Sequence, residues 1–151
     1  MKAEELRLGN YVFDAETRDN IVYEIVSIQN EEYAKWNDEQ EYNIVAKKIV
    51  SKDDYYELKP IGIKLTEQWL LDFGYELQPE YKADNYIVRE YVLRNAILDF
   101  LDHSVIVKEN EKGKMFSIAI EDDDQDVYEL KYVHQLQNAF FIHAGYDLTK
   151  K

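Results

Sequence analysis

The stretch Leu130-Lys-Tyr-Val-His-Gln-Leu-Gln-Asn-Ala-Phe-Phe-Ile-His-Ala-Gly145 constrains the fold more than any other part of this chain. Val133, Leu136, Phe140 and Ala144 fall at i, i+3, i+7 and i+11, with Phe141 beside them, which places them on one helical face. Gly145 stands where a left-handed helix cap is expected, and glycine costs least there because it has no Cβ. The spacing therefore predicts an amphipathic helix over 131–145. Its apolar stripe needs a surface to lie on, and the rest of the chain reads as the sheet that supplies one.

Tyr11-Val-Phe13 and Ile21 to Ile28 are rich in β-branched and aromatic residues and are separated by the polar turn Asp14 to Asn20, which predicts a hairpin. Gly9-Asn10 is a turn signal before it. Residues 29–41 are polar and acidic and contain Tyr33 and Trp36, so they read as a loop, with or without a short helix in it. Tyr42 to Val50 is a third strand candidate, and the run Tyr55 to Ile61 is extended up to Pro60. This half is expected to be a small SH3-like, barrel-like sheet. Thr66 is a candidate N-cap for a short helix over 66–74, with Glu67 in its first turn, Trp69, Leu70 and Phe73 on one face, and Gly74 closing it. Pro79 and Asp84-Asn85 read as a linker. Strands are then expected at Tyr86–Leu93, Ile97–Leu101, Ser104–Lys108, Met115–Ile120 and Val127–Leu130, a meander covered by the C-terminal helix.

The expected class is α+β with antiparallel sheets. The expectation is one domain over 1–151, with packed lobes at 1–78 and 79–151. The predicted core contains Val12, Ile25, Val26, Trp69, Leu70, Phe73, Val88, Ile118, Ile120, Val133, Leu136 and Phe140.

Charge narrows the functions open to such a domain. Against 18 basic residues stand 31 acidic ones, for a net charge of −13. Naked nucleic acid is a poor partner for an acidic chain, and anionic membrane surfaces are disfavoured for the same reason. An acidic surface suits solubility or a basic protein patch. The 13 tyrosines suit half-buried strands and also binding surfaces. The absence of cysteine rules out disulfides and thiolate chemistry. No apolar run approaches the roughly 20 residues of a membrane span, so a soluble, cytoplasmic protein is expected.

Motifs for chemistry are absent or broken. The acidic run Glu121-Asp-Asp-Asp-Gln-Asp126 fails as a calcium loop, because Val127 and Val133 stand where Gly and Glu are required. His134 and His143 are nine apart on the predicted helix, about 180° around it, so they cannot share a metal. No nucleophile–base–acid arrangement, phosphate loop or cofactor motif is recognisable, and no catalytic residue, metal ligand or cofactor is assigned. Carboxylates are abundant, but no spacing singles out a catalytic pair. The polar cluster His134, Gln135, Gln137 and Asn138 can donate and accept hydrogen bonds, and it is the candidate binding group.

Three blocks carry a family likeness: Glu5-Leu-Arg-Leu-Gly-Asn-Tyr-Val12, Pro60-Ile-Gly-Ile-Lys-Leu-Thr-Glu-Gln-Trp-Leu-Leu-Asp-Phe-Gly-Tyr75, and Lys131-Tyr-Val-His-Gln-Leu-Gln-Asn138. In order and spacing the chain resembles a family of small hypothetical proteins from Bacteroidota genomes, prophages and phages. That family typically continues the last block into a helix with a Thr-Gly-Glu-like end; here Ala144-Gly145-Tyr146-Asp147 stands in its place. The resemblance implies no activity or cofactor. It implies an accessory protein that binds a host protein, with inhibition of a host defence as the sharpest form. The expected binding residues are His134, Gln135, Gln137, Asn138, Trp36 and Arg89. The alternative is a small-molecule or nucleotide binder, in which Trp36 and tyrosines stack a base and Arg7, Arg89 and Arg94 meet phosphate. A further alternative is a hydrolase that uses carboxylates.

Overall fold

The computed structural model describes residues 5–17, 20–30, 42–50, 54–94, 103–119 and 128–151. In chain order the elements are β1 (Tyr11–Asp14), β2 (Tyr23–Asn30), β3 (Tyr42–Lys48), β4 (Tyr55–Glu57), β5 (Pro60–Gly62), α1 (Glu67–Phe73), β6 (Glu76–Leu77), β7 (Tyr81–Ala83), β8 (Tyr86–Leu93), β9 (His103–Asn110), β10 (Gly113–Ala119), β11 (Tyr128–Leu130) and α2 (Val133–Ala144). Among the described residues, strands pair only antiparallel and α2 lays Phe140 against the sheet residue His103, so the class is α+β. Two compact units divide the chain. One runs to Ile63 and takes Val133–Asn138; the other takes Lys64–Tyr132 and Ala139–Lys151. The division thus falls after Ile63, where the sequence suggested residue 78, and α1 and β6 group with the second unit.

In the first unit the strands lie in the order β4-β3-β2-β1-β5. β1 pairs with its successor β2 and with the last strand β5, the order expected of an SH3-like sheet, and the outer strands β4 and β5 leave the sheet open. The single run expected over Tyr55–Ile61 is two strands on opposite edges: Glu57 pairs with Val45 and Ile61 with Phe13. A register shift between Ile25 and Ser27 bends β2 against β3. Leu6, Val12, Tyr23, Ile25, Ile44 and Ala46 form the core, and Tyr56 meets Tyr23 edge to face with ring centres 5.8 Å apart. Val26, expected in the core, is only half-buried, because its neighbour Ile25 takes the inward position. Leu136, on the first half of α2, is fully buried in the molecule.

In the second unit the order is β11-β10-β9-β8-β6, with β7 also on β8. β6 pairs with the end of β8 and β7 with its start, and Gln78 N–H donates to Glu90 at 2.8 Å between them. This is one edge strand broken at Pro79, where a residue without an N–H is tolerated. Asp84-Asn85 is the two-residue turn joining β7 to β8, not a linker; Asp84 sits at φ 53, which aspartate accepts more readily than bulkier residues. Thr66 occupies the N-cap position of α1 with extended backbone, but its side chain makes no cap bond. Gly74 ends α1 at φ 90, with its N–H directed to Leu70 and Leu71 carbonyls. Gly145 ends α2 at φ 74.

Register assigns each side chain of this sheet to a face, since paired residues in antiparallel strands point the same way. Tyr91, Leu93, His103, Val105, Val107, Phe116, Ile118 and Leu130 make one buried face. Phe140 of α2 lies on it, its ring 5.1 Å from His103 and edge-on. Trp69, expected in the core, is half-buried; it leans on Phe73 and carries the Lys150 ammonium 3.9 Å above its ring. The expectations for Ile97–Leu101, Ile120, Glu121–Asp126, Tyr33 and Trp36 lie outside the described residues. Among the described residues, no helix is long and apolar enough to cross a membrane.

Candidate binding surface

The polar residues of α2 turn out to serve the chain's own backbone. Asn10 is fully buried in a tight turn with Gly9 at φ 83, and its Oδ1 accepts the Arg7 N–H at 2.9 Å. Gln137, 1% exposed, accepts the Tyr11 N–H at 2.8 Å and donates to the Gly9 carbonyl at 3.0 Å. Asn138 donates to the Glu5 carbonyl at 2.8 Å and accepts from Asn10 Nδ2 at 2.9 Å. Two neighbouring amides thus hold the Glu5–Tyr11 backbone, which the pairing of β1 leaves with unmatched donors and acceptors. His134 is buried as well, and burial lowers its pKa while the nearby Glu5 charge opposes that shift. Gln135 is half-buried. These four residues do not form one exposed polar face.

Arg89 is equally committed. It lies on the helix-covered face of the second sheet and bonds Glu109 at 2.6 Å and Glu80 at 3.1 Å, with Glu67 at 3.8 Å. Lys114 and the Tyr91 hydroxyl also bond Glu67. Partial burial pushes the Glu67 carboxyl up, but the Lys114 and Tyr91 hydrogen bonds and the Lys114 and Arg89 charges outweigh it and hold it below its ordinary value. The Arg89 hydrogen bond lowers Glu109. Both carboxylates are kept ionised, whereas a general acid needs its pKa raised. The guanidinium that was expected to meet a phosphate is taken by carboxylates of its own unit.

The other face of the second sheet is different. Register puts Tyr81, Val88, Lys108 and Met115 in one row across four strands. Glu90, Ile106, Ser117 and Glu129 make the next row. Ala83 and Tyr86 lie to one side, and Glu76 and Val92 to the other. Tyr81 is 55% exposed, Tyr86 38% and Met115 37%, while Val88 in the first row is buried and Ile106 in the second is half-buried. Glu90 holds the Ser104 hydroxyl at 3.0 Å. The result is an apolar, aromatic strip with Glu76, Glu90 and Glu129 around it. Lys108 is the basic residue in these rows.

Sequence reasoning noticed the tyrosines but did not place them. The usable signal was the period-two pattern Tyr86, Val88, Glu90, Val92, flanked across the Asp84-Asn85 turn by Tyr81 and Ala83. Among the described residues, six tyrosines are exposed: Tyr55, Tyr81, Tyr86, Tyr128, Tyr132 and Tyr146. Strand packing alone therefore does not account for their number. Comparisons with protein-family models, curated proteins and solved structures found no match to this chain.

Proposed function

We propose that this chain is a non-enzymatic binding protein that engages a basic protein through the tyrosine-bearing, acid-rimmed face of its second sheet. The observation that carries this reading is the exposure of the neighbouring Tyr81 and Tyr86, with Met115 exposed at the far end of the Tyr81 row, among Glu76, Glu90 and Glu129. Tyrosine and methionine are enriched where proteins meet. Tyrosine faces accept arginine and lysine by cation–π attraction, and the carboxylates steer such a partner and pair with it at the rim. The net charge of −13 adds a long-range field of the same sign. The resemblance to small phage and mobile-element proteins of Bacteroidota supports a host protein as the partner and inhibition of a host defence as the outcome.

The test is affinity capture from a Bacteroidota lysate at low salt, with release at high salt, comparing wild type with the Tyr81→Ala/Tyr86→Ala double variant. Both tyrosines are exposed, so the variant should fold. A basic protein held by wild type, freed by salt and lost from the variant is the expected result. Equal capture by both proteins, or capture of nothing, overturns the assignment.

A further inference from the structure

A groove of about 430 Å³ opens in the second unit, beside the network around Arg89, whose Glu67 and Lys114 form part of its wall. It lies where the chain after β11 leaves β10 and pairs instead with the segment before α1: Lys64 bridges Tyr132, and Leu65 N–H donates to Lys131 O at 2.9 Å. The fork leaves a gap between residues 64–67 and 114–116. Its buried lining is apolar, formed by Leu65, Phe116 and Leu130, and the half-exposed Tyr132 ring stands at the rim.

The charge of this groove runs against that of the chain. Lys64, Lys114 and Lys131 line it together with Glu67 and Glu129, three positive groups to two negative, in a protein of net charge −13. Lys114 bonds Glu67, and Lys131 sits 3.8 Å from Glu129, so these pairs are internally balanced. Lys64 remains; among the described residues it has no ion pair, and its side chain is exposed. The Thr66 hydroxyl beside it does not cap α1. One uncompensated ammonium over an apolar floor, in a volume within the roughly 300–1,000 Å³ of small-ligand sites, selects a definite chemistry.

We propose that this groove binds a small amphipathic anion, a molecule with a compact apolar body and a single carboxylate, sulfonate or phosphate head. The body lies on Leu65, Phe116 and Leu130, and the head meets Lys64. The groove shares Met115 and Glu129 with the edge of the protein-binding face, but Lys64, Leu65, Phe116 and Leu130, which take the ligand, are not part of that face, so the Lys64→Glu and Tyr81→Ala/Tyr86→Ala variants test the two readings separately.

The probe is 8-anilinonaphthalene-1-sulfonate, titrated into the full chain by fluorescence and by amide NMR. N-phenyl-1-naphthylamine supplies the same body without the charge, and inorganic phosphate supplies a head without a body. Saturable one-to-one binding is expected, with shifts centred on Leu65, Phe116 and Tyr132. The neutral amine should bind at least tenfold more weakly, and phosphate alone should not saturate. Lys64→Glu should weaken the sulfonate at least tenfold. Lys82→Glu, at an exposed lysine on β7, should not. Shifts centred elsewhere, absence of saturation, equal binding of the neutral probe, saturation by phosphate alone, or equal affinity in Lys64→Glu and wild type would each overturn the proposal.

Discussion

His103 makes stability depend on pH in a way that can be worked through from its surroundings. Its Nδ1 shares a 2.6 Å hydrogen bond with the Tyr75 hydroxyl, and the Phe140 and His143 rings lie 5.1 and 6.1 Å away. The side chain is 8% exposed. Burial, with a smaller push from His143, lowers its pKa from 6.5 to about 4. The unfolded chain therefore binds a proton between these values while the folded chain does not, and stability falls as pH drops through this window. Above pH 6.5 the contribution is complete. Linkage gives a loss of about 2 kcal/mol between pH 7 and pH 5, growing to roughly 3 kcal/mol below pH 4. Carboxylates titrate in the same range, so the quantity to read is a difference. Urea unfolding of wild type and His103→Gln, which keeps an acceptor for Tyr75, should show wild type losing about 2 kcal/mol more than the variant from pH 7 to pH 5. The imidazole protons of His103 should titrate with a midpoint near 4. A midpoint near 6.5, or parallel pH dependence of the two proteins, would refute the reasoning.

Two further substitutions test the packing. Leu136→Ala, at a fully buried site on α2, should cost about 2–5 kcal/mol in chemical denaturation, and a loss under roughly 0.5 kcal/mol would mean the helix face is misassigned. Gln137→Ala removes the acceptor of the buried Tyr11 N–H and the donor to Gly9, which should cost about 1–3 kcal/mol and speed amide exchange at Tyr11. An unchanged exchange rate there would show that the amide clamp does not hold β1.

Both helices were legible because their signals are local. The stripe Val133, Leu136, Phe140 repeats at helical spacing, and Gly74 and Gly145 mark ends that need positive φ. Long strands such as β8 were legible from β-branched content. The short edge strands β6 and β7 were not, since Pro79 and Asp84-Asn85 look alike in a linker and in a broken edge with a tight turn. The roles of Gln137, Asn138 and Arg89 were hidden for a stronger reason. An amide or guanidinium shows what it can bond, but its partners here are Glu5, Gly9 and Tyr11 in one case and Glu80 and Glu109 in the other. Those partners are brought near by tertiary structure and not by sequence spacing. The tyrosine strip on the second sheet likewise required the register of four strands before its members could be seen as neighbours.

The Gln137 and Asn138 clamp also sets a timetable. Its bonds join residues 126 to 133 positions apart. A ribosome releases Glu5 to Tyr11 well before the clamping amides, so β1 waits for 126 to 133 further residues before its backbone is fully satisfied. Loop-closure entropy grows only slowly with length, so the finished bonds are not weakened much by that distance. The delay bears on kinetics, because long-range pairings slow folding and leave unpaired strands open in the meantime. A chain cut short before Gln137 would keep every residue of its first sheet and still lack the side chains that secure the first strand.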